Sequence, residues 1–142
     1  MASNTDLMGL GTAPALAGRL GHQQTGTVNT SGVGGVVGNG TTQSGTPTKI
    51  ATSVTVGAPT SGQTAYLLPA STANPTMLKE YYFFNNAATA VTALIYPPAD
   101  GSTLAGSTSA AISVAQYKSA MFMCVGNSGV STGATWFVVL GS

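Results

Sequence analysis

Few side chains in this sequence are able to do nucleophilic, acid–base or metal chemistry. The single histidine, His22, has no carboxylate, cysteine or second histidine at a spacing that would form a catalytic or metal site with it. The single cysteine, Cys124, lies in the apolar run AMFMCVG, whereas a reactive thiol needs an electropositive and partly exposed position. We expect Cys124 to be a small buried hydrophobic residue, and neither residue predicts a reactive site.

The carboxylates and glycines are also poorly placed for catalysis or for binding a cofactor. Asp6 lies near the N-terminus, Glu80 lies in an aromatic run, and Asp100 lies in the turn PPADG, where Asp commonly hydrogen-bonds the backbone. The run GVGGVVG has neither the glycine spacing of a dinucleotide site nor the GK[ST] ending of a P-loop. The four cationic residues are scattered singly, without a basic patch. We therefore expect no enzyme, no cofactor and no nucleic-acid partner.

Charge is scarce along the whole chain. Only 5% of its 142 residues are charged, for a net charge of +1, against about a quarter in ordinary globular proteins. Because the cores of protein interfaces are depleted of charge, this favours a subunit that other subunits cover. The alternative is a robust secreted β-protein with a Ser/Thr surface. The N-terminus does not have the pattern of a signal peptide and no apolar run has the length of a membrane span, so we expect synthesis in a cytoplasm and no membrane partner.

The composition changes sharply near Pro47. Eleven of the nineteen glycines lie at or before Gly45, whereas every aromatic residue lies at or after Tyr66. We predict an extended Gly/Ser-rich arm over residues 1–47, with a short helix near residues 13–20, and a body over residues 48–142. Because fixing each backbone costs about 1–2 kcal/mol and Gly and Ser side chains bury little apolar area, we expect another protein to hold the arm. The expected contacts are its apolar residues Leu7, Leu10, Leu16, Leu20, Val33, Val36 and Val37.

The body has the pattern of short strands separated by turn signals. Strict alternation in TKIATSVTV would place Ile50, Val54 and Val56 on one face of a strand. About seven such runs, without a convincing helix, indicate an all-β fold, jelly-roll-like or another β-sandwich. Several runs are apolar on both faces, which predicts central strands or subunit contacts.

The aromatic residues of the body are candidates for a contact surface. For the run KEYYFF we expect core on one face and a subunit interface on the other, with a sugar-stacking platform as the alternative. Symmetric self-association would bury surplus apolar strand faces, so we expect a homotrimer or else a homodimer. The candidate interface aromatics are Tyr81, Tyr82, Phe83 and Tyr117.

From about Tyr81 onward the chain contains, in order, FFNNAA, LIYPPADG, AISVAQYKSAMFMCVG and TWFVVL. This series resembles small structural proteins of tailed-bacteriophage particles, in particular head decoration, cement and fibre proteins. The resemblance implies an auxiliary capsid protein on the outer surface of the virion, with an arm lying across subunits of the major capsid protein and no catalytic residues. One alternative is a receptor- or glycan-binding knob of a head or tail fibre that uses Tyr81, Tyr82 or Trp136. Another is a scaffold or coat subunit that builds the lattice itself.

Overall fold

The computed structural model describes residues 28–29, 35–70, 80–127 and 133–141, with residues 28–29 and 126–127 described by their backbone alone. These residues contain ten strands and no helix. The strands are β1 Val28–Asn29, β2 Thr48–Lys49, β3 Val54–Gly57, β4 Ala65–Leu67, β5 Glu80–Asn85, β6 Ala93–Tyr96, β7 Thr103–Leu104, β8 Ile112–Val114, β9 Ser119–Asn127 and β10 Ala134–Leu140.

The strands form two sheets, one of six strands in the order β1-β3-β5-β9-β10-β7 and one of four strands in the order β2-β4-β6-β8. From β2 to β9 the chain alternates between the two sheets, so strand neighbours such as β3 and β5, or β4 and β6, run parallel. Parallel strands need a crossover connection, and here a strand of the opposite sheet lies within it. The predicted all-β fold is confirmed. Because a jelly roll is an antiparallel architecture, the mixed sheets fit the broader prediction of a β-sandwich.

The core lies between the two sheets. Its largest fully buried side chains are Trp136, Tyr66, Phe83 and Phe122. Tyr66 of β4 meets Phe83 of β5 edge-on, with the ring centroids 4.8 Å apart, which joins one sheet to the other. Aromatic pairs in this arrangement contribute about 0.5–1.5 kcal/mol beyond the area that they bury. The remaining members of the core cluster are Ile50, Leu68, Tyr81, Ala93, Ile95, Leu104, Val114, Ala120, Cys124 and Ala134.

The run TKIATSVTV does not form the single strand that its alternation predicts. It is divided between β2, in the four-stranded sheet, and β3, in the six-stranded sheet. Ile50 is buried between them, whereas Val54 and Val56 are only partly buried, because Thr55 and Gly57 are the buried residues of β3. The prediction that Ile50, Val54 and Val56 share one face is therefore wrong.

Gly57 explains why β3 has this orientation. A Cβ atom at this position would overlap the ring of Phe83 on the neighbouring strand β5. Only a glycine lets the phenylalanine ring pack directly over the β3 backbone. The core therefore selects the face of β3 that carries Gly57, although the valines are more apolar.

Residues 35–47, which the composition assigned to the arm, hydrogen-bond to the body. The Val36 N–H donates to the Val56 carbonyl at 2.8 Å, and the Tyr66 hydroxyl donates to the Val36 carbonyl at 2.7 Å. The Gln43 side chain donates to the carbonyls of Pro97 and Thr108 at 2.9 and 2.8 Å. The expectation that another protein must hold this ribbon is therefore wrong for residues 35–47, since their own body supplies the partners.

Asn85 is a fully buried polar residue at the end of β5. Its amide Nδ2 donates to the carbonyls of Val91 and Val114 at 2.9 and 2.8 Å, and its Oδ1 accepts the Ala87 N–H at 3.0 Å. Val114 ends β8 in the four-stranded sheet, so one side chain links the two sheets by hydrogen bonds. Burial of this amide is tolerated because its donors and its acceptor all have partners.

Candidate interaction surface

The six-stranded sheet has one face toward the core and one face away from it, which we call the outer face. In β5 the alternation is complete: Tyr81, Phe83 and Asn85 are buried, whereas Tyr82 and Phe84 are exposed. The same alternation places every second residue of the neighbouring strands outward. The outer face comprises Val54, Val56, Glu80, Tyr82, Phe84, Ser119, Met121, Met123, Phe137, Val139 and Gly141.

The strand registers align these residues in rows across the sheet. The middle row runs over four strands, from Val54 through Tyr82 and Met121 to Val139. Side chains directly opposite each other on neighbouring strands are close enough to touch, so this row is a continuous apolar ridge.

The two rows that flank the middle row differ in the size of their side chains on β9 and β10. One consists of Glu80, Met123 and Phe137. The other begins with Val56, Phe84 and Ser119 and ends at Gly141, whose N–H donates to the Ser119 carbonyl at 2.8 Å. The β9–β10 part of the face therefore has bulky residues at one end and small residues at the other.

Large apolar side chains on the outer face remain accessible to solvent. The exposed fractions are 46% for Tyr82, 37% for Phe84, 52% for Phe137 and 47% for Val139. With roughly 200 Å² per aromatic side chain, the three rings alone expose on the order of 250 Å². The largest apolar patch of a typical monomer is about 300–600 Å² and is often functional, and with its Val and Met side chains the outer face is comparable in size with such a patch.

The outer face carries a single charged residue, Glu80. The Tyr82 hydroxyl donates a hydrogen bond to Glu80 Oε2 at 2.8 Å, and this bond raises the pKa of Tyr82 above its ordinary value. Lys118 is exposed and lies at the opposite end of the face, where its carbonyl accepts the Asn85 N–H at 2.9 Å. The face is thus apolar in the middle, with an anion at one end and a cation beside the other.

The four-stranded sheet presents a different outer surface. Its outward residues Leu67, Leu94 and Tyr96 are all partly buried. The Tyr96 hydroxyl donates to the Thr41 carbonyl at 2.8 Å, so the segment before β2 is tied to this sheet. The large exposed apolar side chains concentrate instead on the six-stranded sheet.

The four predicted interface aromatics fall into two groups. Tyr82 and Tyr117 are exposed, at 46% and 60%, and Tyr117 lies in the turn before β9 with a φ of 60°. Tyr81 and Phe83 are 6% and 1% exposed, so both are core residues and their assignment to an interface is wrong. The physical reason is strand alternation, which gives Tyr81 and Phe83 the same inward face.

Two of the predicted arm contacts lie among the described residues. Val36 is partly buried and its N–H donates a hydrogen bond to Val56 of β3, whereas Val37 is 42% exposed. The other predicted contacts, Leu7, Leu10, Leu16, Leu20 and Val33, lie outside the described residues, as does the predicted helix near residues 13–20.

Sequence reasoning missed most of the outer face. Met121, Phe137 and Val139 were not predicted as contact residues, although the runs MFMCV and TWFVVL are apolar at successive positions and so on both faces of their strands. That absence of polar alternation was the available signal, because a strand with one face in water normally alternates.

Groups able to do chemistry do not assemble into a reactive centre among the described residues. Cys124 is buried, as expected, and the Asp100 carboxylate accepts the N–H and hydroxyl of Ser102, as expected for a turn residue. No cluster of three metal-ligating side chains occurs in the described ranges. A shallow pocket of about 240 Å³ opens near Lys49, Pro69, Pro98 and Asp100.

The described part of the chain also has no helix of the length and apolarity needed to cross a membrane. Comparisons with protein-family models, with curated proteins and with solved structures find no match to this chain.

Proposed function

We propose that this chain is a structural virion protein, a decoration or cement protein on the outside of a phage head. The observation that carries the proposal is the outer face, which is apolar and nearly uncharged, as expected for a subunit that works within an assembly. The low charge of the whole chain and the motif order from Tyr81 onward support the same role. The proposed partner is the major capsid protein.

The proposed mechanism is stabilisation by mass action. A protein that binds assembled capsid subunits but not separated ones shifts the equilibrium toward the assembled shell. The symmetry of the shell repeats each weak contact many times, which adds up to a large effect. No reacting group is needed, so the proposed protein is not an enzyme and uses no cofactor.

The test is co-sedimentation of the purified full chain with phage heads assembled from the major capsid protein of the same phage. We expect saturable binding to assembled heads and weaker binding after Leu16→Ser with Leu20→Ser in the N-terminal segment. Ser113→Ala, an exposed change on β8, is the matched control and should bind like the unmodified chain. Binding that is absent, or equally strong to unassembled capsid protein, would contradict the proposal.

A second candidate is a glycan-binding knob, which the half-exposed rings of Tyr82, Phe84 and Phe137 favour because aromatic faces pack on sugars. Of the three residues that the sequence suggests for glycan binding, Tyr81 and Trp136 are buried and so cannot contact a sugar. Glycan-array binding that is lost in Tyr82→Ala but retained in Tyr117→Ala would support this role. An array without specific binding would count against it.

A further inference from the structure

We propose that the outer face is covered by the same face of a second copy of this chain, in a two-fold symmetric dimer. The proposal deepens the assembly role proposed above and rests on it, but it is tested without any capsid. When one patch meets its own copy the contact is isologous, which closes as a dimer. The face therefore favours a dimer over the trimer expected from the sequence.

The geometry of such a pair follows from the sheet. For two outer faces to meet, the symmetry axis must lie in the plane between them. If the axis also runs across the strands, it reverses the strand direction and leaves the lateral order of the strands unchanged. The row of Tyr82, Met121 and Val139 then lies over the same row of the other copy, and the two flanking rows exchange places.

On β9 and β10 the exchange of rows places large residues over small ones. Phe137 of each copy lies over the region of Gly141 in the other, and Met123 lies over the region of Ser119. Phe137 is the most exposed aromatic side chain of the outer face, at 52%, whereas Gly141 has no side chain. Stacked sheets pack about 10 Å apart when their side chains interdigitate, and this arrangement provides the required knobs and gaps.

The same exchange decides what meets the charged residue of the face. Glu80 of each copy lies over the region of Phe84 of the other, because both residues belong to β5 and to opposite flanking rows. Glu80 accepts the Tyr82 hydroxyl at 2.8 Å and stands at the first position of β5, so its carboxylate keeps a hydrogen-bond partner at the edge of the contact.

The apolar area is sufficient for a stable contact. The three exposed rings, with Val139 and the partly exposed Val and Met side chains, present on the order of 400 Å² of apolar surface. A stable interface at the lower end of the usual range buries about 600 Å² on each partner, of which about 60% is apolar. The outer face meets that requirement without another surface.

The experiment is analytical ultracentrifugation of the full chain over a wide range of concentration. We expect a monomer–dimer equilibrium, and we expect Val139→Lys to raise the dissociation constant by about a hundredfold or more, because it buries an unpaired charge in the centre of the contact. Ser113→Lys, an exposed change on the other sheet, is the matched control and should leave the dimer intact. Far-ultraviolet circular dichroism of each variant checks that the body remains folded.

A complementary pair of changes tests the orientation. Ser119→Leu should weaken the dimer by filling the space over which Met123 of the other copy lies, and Met123→Ala should weaken it by removing apolar contact. The double variant should bind more tightly than either single one. A monomeric chain at every concentration, a trimer, or a dimer unaffected by Val139→Lys would overturn the proposal, as would a double variant weaker than both single ones. If no dimer forms but the chain still binds heads, the inference fails and the proposed function stands. If a dimer forms but binds no heads, the proposed function fails and the inference stands.

Discussion

The two faces of the six-stranded sheet are built from the same kinds of residue but meet different surroundings. The inner face carries Tyr81, Phe83, Phe122 and Trp136, and all are nearly or fully buried. The outer face carries Tyr82, Phe84 and Phe137, each more than a third exposed. An apolar sequence therefore does not distinguish a strand's core face from its contact face; packing against the second sheet does.

The largest expected effect on stability comes from removing a buried side chain of the inner face. Phe122→Ala should lower the free energy of unfolding by about 3–5 kcal/mol, because it removes a fully buried ring and leaves a cavity. Phe137→Ala on the outer face is the matched change and should cost the monomer less than about 1 kcal/mol. Urea unfolding at low protein concentration measures both values. Equal costs would show that the two faces are not energetically distinct.

The next largest effect on stability is expected from removing the Asn85 side chain, whose hydrogen bonds link the two sheets. Asn85→Leu keeps a similar volume but leaves the Val91 and Val114 carbonyls and the Ala87 N–H without their partner. The expected loss is about 2–4 kcal/mol, because each buried group loses its hydrogen bond. Urea unfolding checks this value, with the exposed change Ser113→Leu as control. A loss under about 1 kcal/mol would mean that the link between the sheets is dispensable.

A smaller effect is expected at the closest contact of the inner face. Gly57→Ala forces a methyl group against the Phe83 ring and should cost about 1–3 kcal/mol through overpacking. Combining it with Phe83→Leu should cost less than the sum of the two single changes, because the smaller side chain leaves room. Thermal unfolding of the four proteins measures the coupling. Strict additivity would contradict the packing explanation for the orientation of β3.

The smallest effect at neutral pH comes from a buried hydroxyl. Burial raises the pKa of Tyr66 above its ordinary value of about 10, so the folded protein keeps this proton at pH values where the unfolded chain releases it. The free energy of unfolding should fall as pH rises above about 10, by up to about 1.4 kcal/mol per pH unit from this group. Tyr66→Phe should reduce that slope by the contribution of this group and, by removing the hydrogen bond to Val36, cost about 0.5–1.5 kcal/mol at pH 7.

Urea unfolding across the alkaline range compares the unmodified chain with Tyr66→Phe. An unchanged slope in the variant would show that titration of the Tyr66 hydroxyl does not contribute to it. A variant as stable as the unmodified chain at pH 7 would show that its hydrogen bond to the segment before β2 contributes little.

The general fold and the position of most strands could be predicted from sequence, because β-rich apolar runs ended by Pro, Gly and Asn are local signals. KEYYFF and ATWFVVL correspond closely to β5 and β10. The pairing of those strands could not be predicted, because parallel neighbours such as β3 and β5 are separated by a strand of the other sheet. The short strand β7, which follows the turn at PPADG, carries too few residues to show a period.

The candidate surface was only partly predictable for a related reason. Alternation shows that Tyr82 and Phe84 share a face and that Tyr81 and Phe83 share the other, but both pairs are apolar, so periodicity cannot say which pair faces inward. The orientation depends on distant residues such as Tyr66, which meets Phe83 from the second sheet. Composition likewise assigned residues 35–47 to the arm, because their hydrogen-bond partners are remote in sequence.

The alternation of the chain between the two sheets has a consequence for how the molecule forms. Neighbouring strands such as β2 and β4, or β3 and β5, cannot close as local hairpins, and β5 finds its other partner only in β9. Pairings of long range in sequence make folding slow. During synthesis, therefore, the six-stranded sheet cannot be completed until β9 and β10 have left the ribosome, because β9 joins β5 to β10 and β10 joins β7 to the sheet, and the body is expected to form late.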